Sequence, residues 1–590
     1  MRRLVSLSIS VLFLACLLFP SSVPADPPPN KALLGKTVEG FTLKDLAGQP
    51  WALRDCQDKK AIAVVFLGTE CPINNAYLPR LAELNKTYAS RGVQFVGINA
   101  NSQDSSVRVA EHAKKYDIPF PVLKDDGNVV ADQLGAQRTP EVVLLDGARR
   151  ICYHGRIDDQ YGIGYKRPAP TRRDLVEALE EVLAGKVVSQ PATPVAGCVI
   201  GRLVKPQGTA TVTYSREVSR ILQKNCQECH RPSQIGPMAL LTYDDAAAWA
   251  ETIREVVQER RMPPWHADPL HGKFLNDRRL SDADRQTLLT WIEQGCPKGD
   301  DKDLPTARQF ASEWMIGKPD AVFQMSDEFM VPAEAPRRGV PYMYFKAPTN
   351  FNEDRWVQAS EAKAGNPSVV HHIIVYIVDP KLGRKPSEDR IGEGWIAAYA
   401  PGDMPMILAP GHAKKLPKGA ILIFQMHYTP NGIAQADRSS VGLVFAKEPP
   451  KRQVLTAAIS GRFFKIPPGD DNHQVESSFT FPEDSEIISF MPHMHLRGKD
   501  FLYEALLPDN KTQTLLSVPR YDFNWQSVYR LAAPVPMPKG TKIHCVAHFD
   551  NSTKNRNNPD PTKTVTWGDQ TWEEMMIGWM DFVYDKPAQQ

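Results

Sequence analysis

The sequence predicts a multidomain chain: one α/β domain, one short all-α domain, and two all-β sandwiches in tandem. Three observations predict it. Over residues 34–186 buried-strand runs alternate with amphipathic helices, and over 213–300 only helical periodicity recurs. From about 318 to the end, helices give way to short alternating runs set off by Pro, Gly and Asn turns. A chain of 590 residues is far too long for one core. Its 50 prolines and 42% hydrophobic residues fit β-rich modules joined by stiff linkers. A formal net charge of +2, with no basic block, argues against a nucleic-acid partner.

The first residues bear on compartment. "MRR", an apolar run from Leu4 to Phe19 and the small-residue "SSVPA" read as a secretory signal peptide over residues 1–25, cut after Ala25. The run is short for a membrane span, and no later stretch is long enough for a transmembrane segment. The expected protein is exported, periplasmic in a Gram-negative bacterium. Its nine cysteines, one of them in the signal peptide, are too few for a disulfide scaffold.

Within 34–186, "AIAVVFLG" and "VQFVGINA" read as strands. "NNAYLPRLAELNKTYASRG" and "VRVAEHAKKYD" read as helices, "PEVVLLD" and "RRICYHGRID" as a strand pair, and "TRRDLVEALEEVLAG" as a closing helix. That order puts helices on both faces of a sheet. Residues 187–212, rich in Pro, Gly and small residues, read as a flexible linker. Residues 213–300 carry "SREVSRILQKNC", "YDDAAAWAETIREVVQERR" and "SDADRQTLLTWIEQG", the last opened by a capping serine. Strands such as "HHIIVYIVD", "AILIFQMHY", "VGLVFA" and "KIHCVAHFD" then fill two sandwiches, 318–448 and 449–590.

"FLGTECPINNAYLPRL" places Cys71 after a buried strand and at a helix start, where the electropositive N-terminus makes a thiol more acidic. Thr139-Pro140 precedes "EVVLLD". On these residues the domain resembles the thioredoxin and peroxiredoxin-like redoxins, in which a proline faces the active cysteine. Two departures stand out. Asn74 replaces the resolving cysteine of C-x-x-C, and Gly68 replaces the peroxiredoxin threonine. Cys71 is a candidate nucleophile, with Cys198 in "VAGCVIGR" a thiol that the linker brings within reach. The other reading is a docking module without thiol chemistry.

"CQECH", Cys226 to His230, has the spacing by which two thiols bond haem vinyl groups while the adjacent histidine ligates the iron. A zinc half-site is the alternative, and no second Cys/His pair at zinc spacing lies nearby. The segment resembles small c-type cytochromes, in which a Met-Pro before the final helix supplies the sixth ligand. That resemblance implies haem c on Cys226, Cys229 and His230, with Met262 opposite. His266 is the next candidate, and Met238 and His271 are also in range.

"SFMPHMHLRGKDF" puts His493 and His495 on one side of a strand, since side chains alternate faces. "SVVHHIIVYIVD" adds His371 and His372, "QMHY" adds His427, and "EEMMIG" adds Met575 and Met576. Neighbours on a strand point to opposite faces, so His371 and His372 need a bulge or a loop to share an ion. The pattern resembles the copper type II, ascorbate-dependent monooxygenases, the family of dopamine β-monooxygenase and the peptide-amidating hydroxylase. It implies two sandwiches of jelly-roll type and two copper ions. His371, His372 and His427 would hold one; His493, His495 and Met575 would hold the catalytic other. Met491 and Ile577 stand where the amidating enzyme has an arginine and an asparagine, which argues against a peptide substrate.

The resemblances together imply a copper monooxygenase that hydroxylates a C–H bond of a small organic molecule with O2. Electrons would come from an external reductant or electron-transfer protein through a fused haem c domain. The rival expectation is a thiol peroxidase or redox sensor acting through Cys71, with the sandwiches as a binding or electron-transfer module. A third is electron transfer or copper storage without oxygenation.

Overall fold

The computed structural model describes residues 30–167, 169–202, 209–232, 234–310, 314–333, 340–382, 394–400, 404–431 and 433–588. The expected signal peptide lies outside them. No helix among the described residues is long and apolar enough to cross a membrane.

The N-terminal domain follows the expected alternation. It runs β1 (Thr42–Asp45), β2 (Pro50–Ala52), β3 (Ala61–Phe66), α1 (Pro72–Ala89), β4 (Val93–Asn99), α2 (Ser106–Lys115) and β5 (Val122–Lys124). Then come α3 (Val129–Leu134), β6 (Arg138–Thr139), β7 (Glu141–Asp146), β8 (Ile151–Gly155) and α4 (Asp174–Leu183). Seven strands form one sheet in the order β2-β1-β5-β4-β3-β7-β8, with β3, β4 and β5 parallel. Strand β3 is apolar throughout because both its faces are covered. Ala61, Ala63 and Val65 pack with Leu81 of α1 and Leu179 of α4, while Ile62, Val64 and Phe66 pack with Val130 and Leu134 of α3.

Residues 187–202 are not a slack linker. Tyr153 and Thr193 share a hydroxyl hydrogen bond of 2.7 Å, and the Ile200 N–H donates to the Gln137 carbonyl at 2.9 Å. Cys198–Val199 is a strand paired antiparallel with β6, Cys198 opposite Thr139. Gly197 makes the approach possible: a Cβ there would overlap the Thr139 carbonyl oxygen. The small residues that read as flexibility serve close backbone contact.

The next segment is helical: a π-helical turn (Tyr214–Val218), then α5 (Ser219–Asn225), α6 (Tyr243–Ala248), α7 (Ala250–Gln258) and α8 (Asp282–Glu293). Ser281 caps α8 by accepting from the Asp284 N–H at 3.0 Å. Tyr214, Leu222, Trp249, Ile253 and Trp291 form its core. The segment is not self-contained, however. Residues 265–276 leave it and pack on the last sandwich, where Trp265 and Phe274 meet the Tyr529 ring at 4.9 and 5.5 Å. Leu275 N–H donates to the Arg530 carbonyl, and Ala532 N–H to that of Lys273. This strap covers an edge strand whose backbone groups need partners.

Two antiparallel sandwiches follow, with separate cores. In the first, strands Met343–Pro348, Ile421–Tyr428, Val370–Val378 and Trp395–Tyr399 form one sheet in that order. In the second, Leu455–Ser460, Ile577–Tyr584, Ser485–His493 and Tyr529–Met537 do the same. Arg452–Gln453 pairs with His412–Leu416 of the first sandwich, so the division falls just after the expected 448. These two sheets meet through Trp395 and Trp579, whose rings cross at 4.6 Å.

Replacing Trp265 with alanine should cost about 3–5 kcal/mol, the range for deleting a large buried aromatic. A lower unfolding midpoint and new proteolytic cuts within 265–276 would show it. Unchanged melting and cleavage would mean that the strap holds nothing in place.

Candidate functional site

Three clusters of chemistry-bearing side chains emerge, and the largest is histidine. Of the bulge or loop that the adjacent histidines require, the structure has the bulge. In the pairing of Val370–Val378 with Ile421–Tyr428 the register shifts between Val370 and His372, leaving His371 as the extra residue. His371 therefore turns to the same side as His372, which faces His427 directly. The ligand nitrogens of these three lie within 4.8 Å of one another, and the Nδ1 atoms of His371 and His372 are 3.3 Å apart. His427 Nδ1 is buried without a hydrogen-bond partner. An orphaned buried ring nitrogen beside two others fits a metal ion that takes imidazole, as copper does.

His493 and His495 face each other with ring centroids 5.3 Å apart. His493 Nδ1 donates to Gln526 Oε1 at 2.7 Å and His495 Nδ1 to the Glu573 carbonyl at 3.2 Å, which leaves both Nε2 atoms for a ligand. Phe523 joins the two sets, stacked on His371 at 5.1 Å and edge-on to His495 at 5.9 Å. Burial holds His371 and His493 down to about 4 and His495 to about 3, and pushes His372 and His427 well below the usual imidazole value. All five are neutral at pH 7, the form that binds metal.

Met575 and Met576 go different ways. Met576 enters the core of the second sandwich, whereas Met575 packs with Met491, Ile577 and Trp579 at the edge of the sandwich interface. Glu574, which sequence reasoning missed, ties this segment to the histidine loop. Its carboxylate accepts from the His495 N–H at 2.8 Å and the Arg497 N–H at 2.6 Å. Burial pushes its pKa up to about 8. Beside Met491 and Trp579 lies a cavity of about 230 Å³, walled also by Trp395, Met406, Lys414 and Asp581. Phe523 and Gln526 follow no motif, and the contacts of the Glu574 carboxylate join distant segments, so only the fold reveals these roles.

The CQECH residues sit on one turn that continues α5, with Cys229 N–H and His230 N–H both donating to the Cys226 carbonyl. His230 Nδ1 donates to the Met238 carbonyl at 3.2 Å, leaving Nε2 available. Met238 thus contributes its backbone. Two thiols and a pre-oriented imidazole on one turn fit covalent haem. Met262 follows α7, its N–H donating to the Val256 carbonyl. His266 belongs to the strap instead: its neighbours Trp265 and Ala267 enter the sandwich core, and Asp522 and Arg520 act on its ring.

In the N-terminal domain, Cys71 caps α1, with Pro72 at the first helical position. Its thiol donates to the Thr139 carbonyl at 2.9 Å, and its sulfur accepts from the Asn74 N–H at 3.5 Å. The Asn74 side chain donates to the Gly68 carbonyl at 2.9 Å, closing the turn that a second cysteine occupies in C-x-x-C redoxins. A side chain at Gly68 would meet the Thr139 hydroxyl, and that hydroxyl hydrogen-bonds Cys71. Cys198, across the strand pair, hydrogen-bonds the same sulfur. Burial pushes the Cys71 thiol up, but these hydrogen bonds outweigh it and bring it down to about 6. Its hydrogen bond to Cys71, and then burial, push Cys198 well up.

The model of the AhpC/TSA family matches residues 34–154. A chloroplastic peroxiredoxin Q of Sedum lineare is 30% identical over 139 residues, which cover 22% of this chain and 73% of its own. The chain belongs to the AhpC/TSA family through this domain. A thiol-disulfide oxidoreductase ResA of Halalkalibacterium halodurans is 30% identical over 115 residues, 20% of this chain. The chain spans 64% of the length of that relative. Among solved structures, a hypothetical protein of Sinorhizobium meliloti is 34% identical, covering 29% of this chain and 96% of its own, with a TM-score of 0.27. An uncharacterized conserved protein of Geobacillus kaustophilus is 27% identical over 32% of this chain and all of its own, with a TM-score of 0.28. Within the AhpC/TSA domain, Asn74 stands three residues after Cys71, where a C-x-x-C sequence has its second cysteine.

A lowered thiol pKa means thiolate at lower pH. Ultraviolet thiolate absorbance should therefore rise through about pH 6 and be complete near pH 8, from Cys71 alone. Burial pushes up Cys56, Cys152, Cys226, Cys229, Cys296 and Cys545, so none of them ionises in that window. Cys71→Ser should abolish the step. A wild-type step centred above about 8.5, the free-thiol value, would refute the arrangement.

Proposed function

We propose that this chain is an exported copper-dependent monooxygenase that hydroxylates a C–H bond of a small organic substrate with O2, with a haem c segment as its electron source. The observation that carries the reading is the buried five-histidine interior between the sandwiches, where neutral imidazoles converge from three strands and the loop after one of them. When bound, two copper ions supply one electron each to the reduction of O2, and haem c on Cys226, Cys229 and His230 supplies them singly.

The chain's own residues do the rest. His371, His372 and His427 would hold one ion, and His493 and His495 with the Met575 thioether the other, a soft ligand that favours reduced copper. Gln526 and the Glu573 carbonyl fix the two ring orientations of the second set. Phe523 lies against a ring of each set. Met262 would complete the haem coordination. The apolar wall of Trp395, Met406, Met491 and Trp579 suits a substrate with an apolar body. Lys414 and Asp581 in that wall are paired with each other at 3.0 Å.

The test is metal content and electron paramagnetic resonance on haem-matured protein beside His427→Ala and Met575→Ala. About two copper ions per chain are expected, with each substitution altering a different signal. Oxygen uptake by the reduced, copper-loaded chain should match product formed. Haem without stoichiometric copper would defeat the reading and leave the histidines as core residues.

A further inference from the structure

The strap that leaves the helical segment ends on the turn that holds the second histidine set. It begins at Trp265, three residues after Met262. The Trp265 ring meets Tyr529 at 4.9 Å, and the His266 N–H donates to the Tyr529 hydroxyl. The indole Nε1 of Trp265 is buried without a hydrogen-bond partner. Burying an unpaired donor is costly, so packing alone does not account for an indole there. Arg278, just past the strap, acts electrostatically on both the Cys229 thiol and the Tyr529 hydroxyl. The CQECH turn and the second sandwich therefore approach each other at this strap.

Beyond Tyr529 the contacts continue inward. Asn276 fastens the chain on both sides of Tyr529. Its Nδ2 donates to the Val528 carbonyl at 2.6 Å, and its Oδ1 accepts from the Arg530 N–H at 3.0 Å. Gln526, three residues before Tyr529, holds His493 Nδ1. Across the sheet Tyr529 pairs with Phe490, three residues before His493. The Tyr521 hydroxyl accepts from the Met494 N–H at 3.0 Å and donates to its carbonyl at 2.8 Å, between the two histidines. Covalent and hydrogen-bonded links thus join the strap to His493 and His495. The same turn meets the first set by a ring stack, Phe523 on His371 at 5.1 Å.

We propose that electrons from the haem segment enter the histidine interior at the second set, through Trp265, Tyr529 and Gln526, and reach the first set from there. Electron tunnelling weakens exponentially with distance, and bonded links carry it better than gaps between surfaces. The bonded links end on His493, whereas His371 is met across a van der Waals stack. The step is a one-electron exchange in which no bond forms or breaks and no proton moves. Ferrous haem becomes ferric as copper(II) becomes copper(I), and an external one-electron donor restores the haem. Trp265, Tyr529 and Gln526 are positioning residues in this step, holding the path between the two metal sites without ligating either. The inference rests on the haem and copper reading and adds the point of entry to it.

The test follows haem absorbance in full-length, haem-matured, copper(II)-loaded protein without oxygen, after photoreduced flavin supplies one electron per chain. The haem should be reduced and then reoxidised. Two half-loaded variants separate the entry point from the reading beneath it. His427→Ala, with copper in the second set, should still reoxidise its haem. His495→Ala, with copper in the first set, should do so at least tenfold more slowly. Trp265→Leu should slow reoxidation at least tenfold while both copper resonance signals stay unchanged. Equal or faster reoxidation in His495→Ala would overturn the entry point and leave the haem and copper reading standing. An undiminished rate in Trp265→Leu would overturn the path through the strap. Haem that stays reduced in the fully loaded wild type would overturn the entry point and the reading together. The half-loaded pair leaves the strap untouched, so it decides the entry point even where Trp265→Leu does not fold.

Discussion

Lys414 reaches across the interface between the two sandwiches to Asp581, and the geometry of the interior depends on that contact. The ammonium is nearly out of water, and each of its bonds is satisfied. It donates to Asp581 Oδ1 at 3.0 Å, Thr456 Oγ1 at 2.7 Å and the Trp395 carbonyl at 3.2 Å. Such a group adds little net stability over an apolar pair, yet removing one partner costs about 3–5 kcal/mol. Its effect is therefore on orientation. Trp395 and Trp579 cross beside it, and the sheet carrying Trp579 also carries His493. Histidines drawn from two separate cores share one interior because this polar contact sets how the two sheets face.

Element order was legible because it is written in local periodicity. The strands around His372, His427 and His493, the α/β alternation and the Ser281 cap all follow from side-chain alternation, helical spacing and capping chemistry. Even a break in the regular strand at His371 was implied, as a bulge or a loop, since two adjacent ligands cannot otherwise share a face. What was illegible depends on contacts between distant segments. Glu574 reads as one more acidic residue until the fold places the His495 and Arg497 amides on it. Phe523 reads as an ordinary apolar residue in a turn-rich stretch. Composition misled at Cys198: glycines that signal slack in a linker are here the residues that allow close backbone contact. It misled again at Trp265, which lies in the helical segment by sequence and in the second sandwich by packing.

The joints between modules share one character. Residues 187–202 are bound to the AhpC/TSA domain by strand pairing and side-chain hydrogen bonds. Residues 265–276 are bound to the last sandwich by backbone hydrogen bonds and aromatic packing. Arg138 and Glu255 join the first two modules. The CQECH turn lies between those attachments and is fastened on both sides. Long tethers trade entropy for reach, whereas packed straps fix distance. Here the chain has straps where its composition suggested tethers.

The bulge at His371 also has a meaning for selectivity. Because it is the main chain, rather than a choice of rotamers, that brings two consecutive imidazoles to one side, little side-chain freedom remains to be frozen when an ion arrives. A site built this way discriminates by the spacing of its nitrogens more than by how strongly each one binds. Deleting one residue there would send alternate side chains to the opposite face and dismantle the pocket, while leaving every ligand residue in the chain.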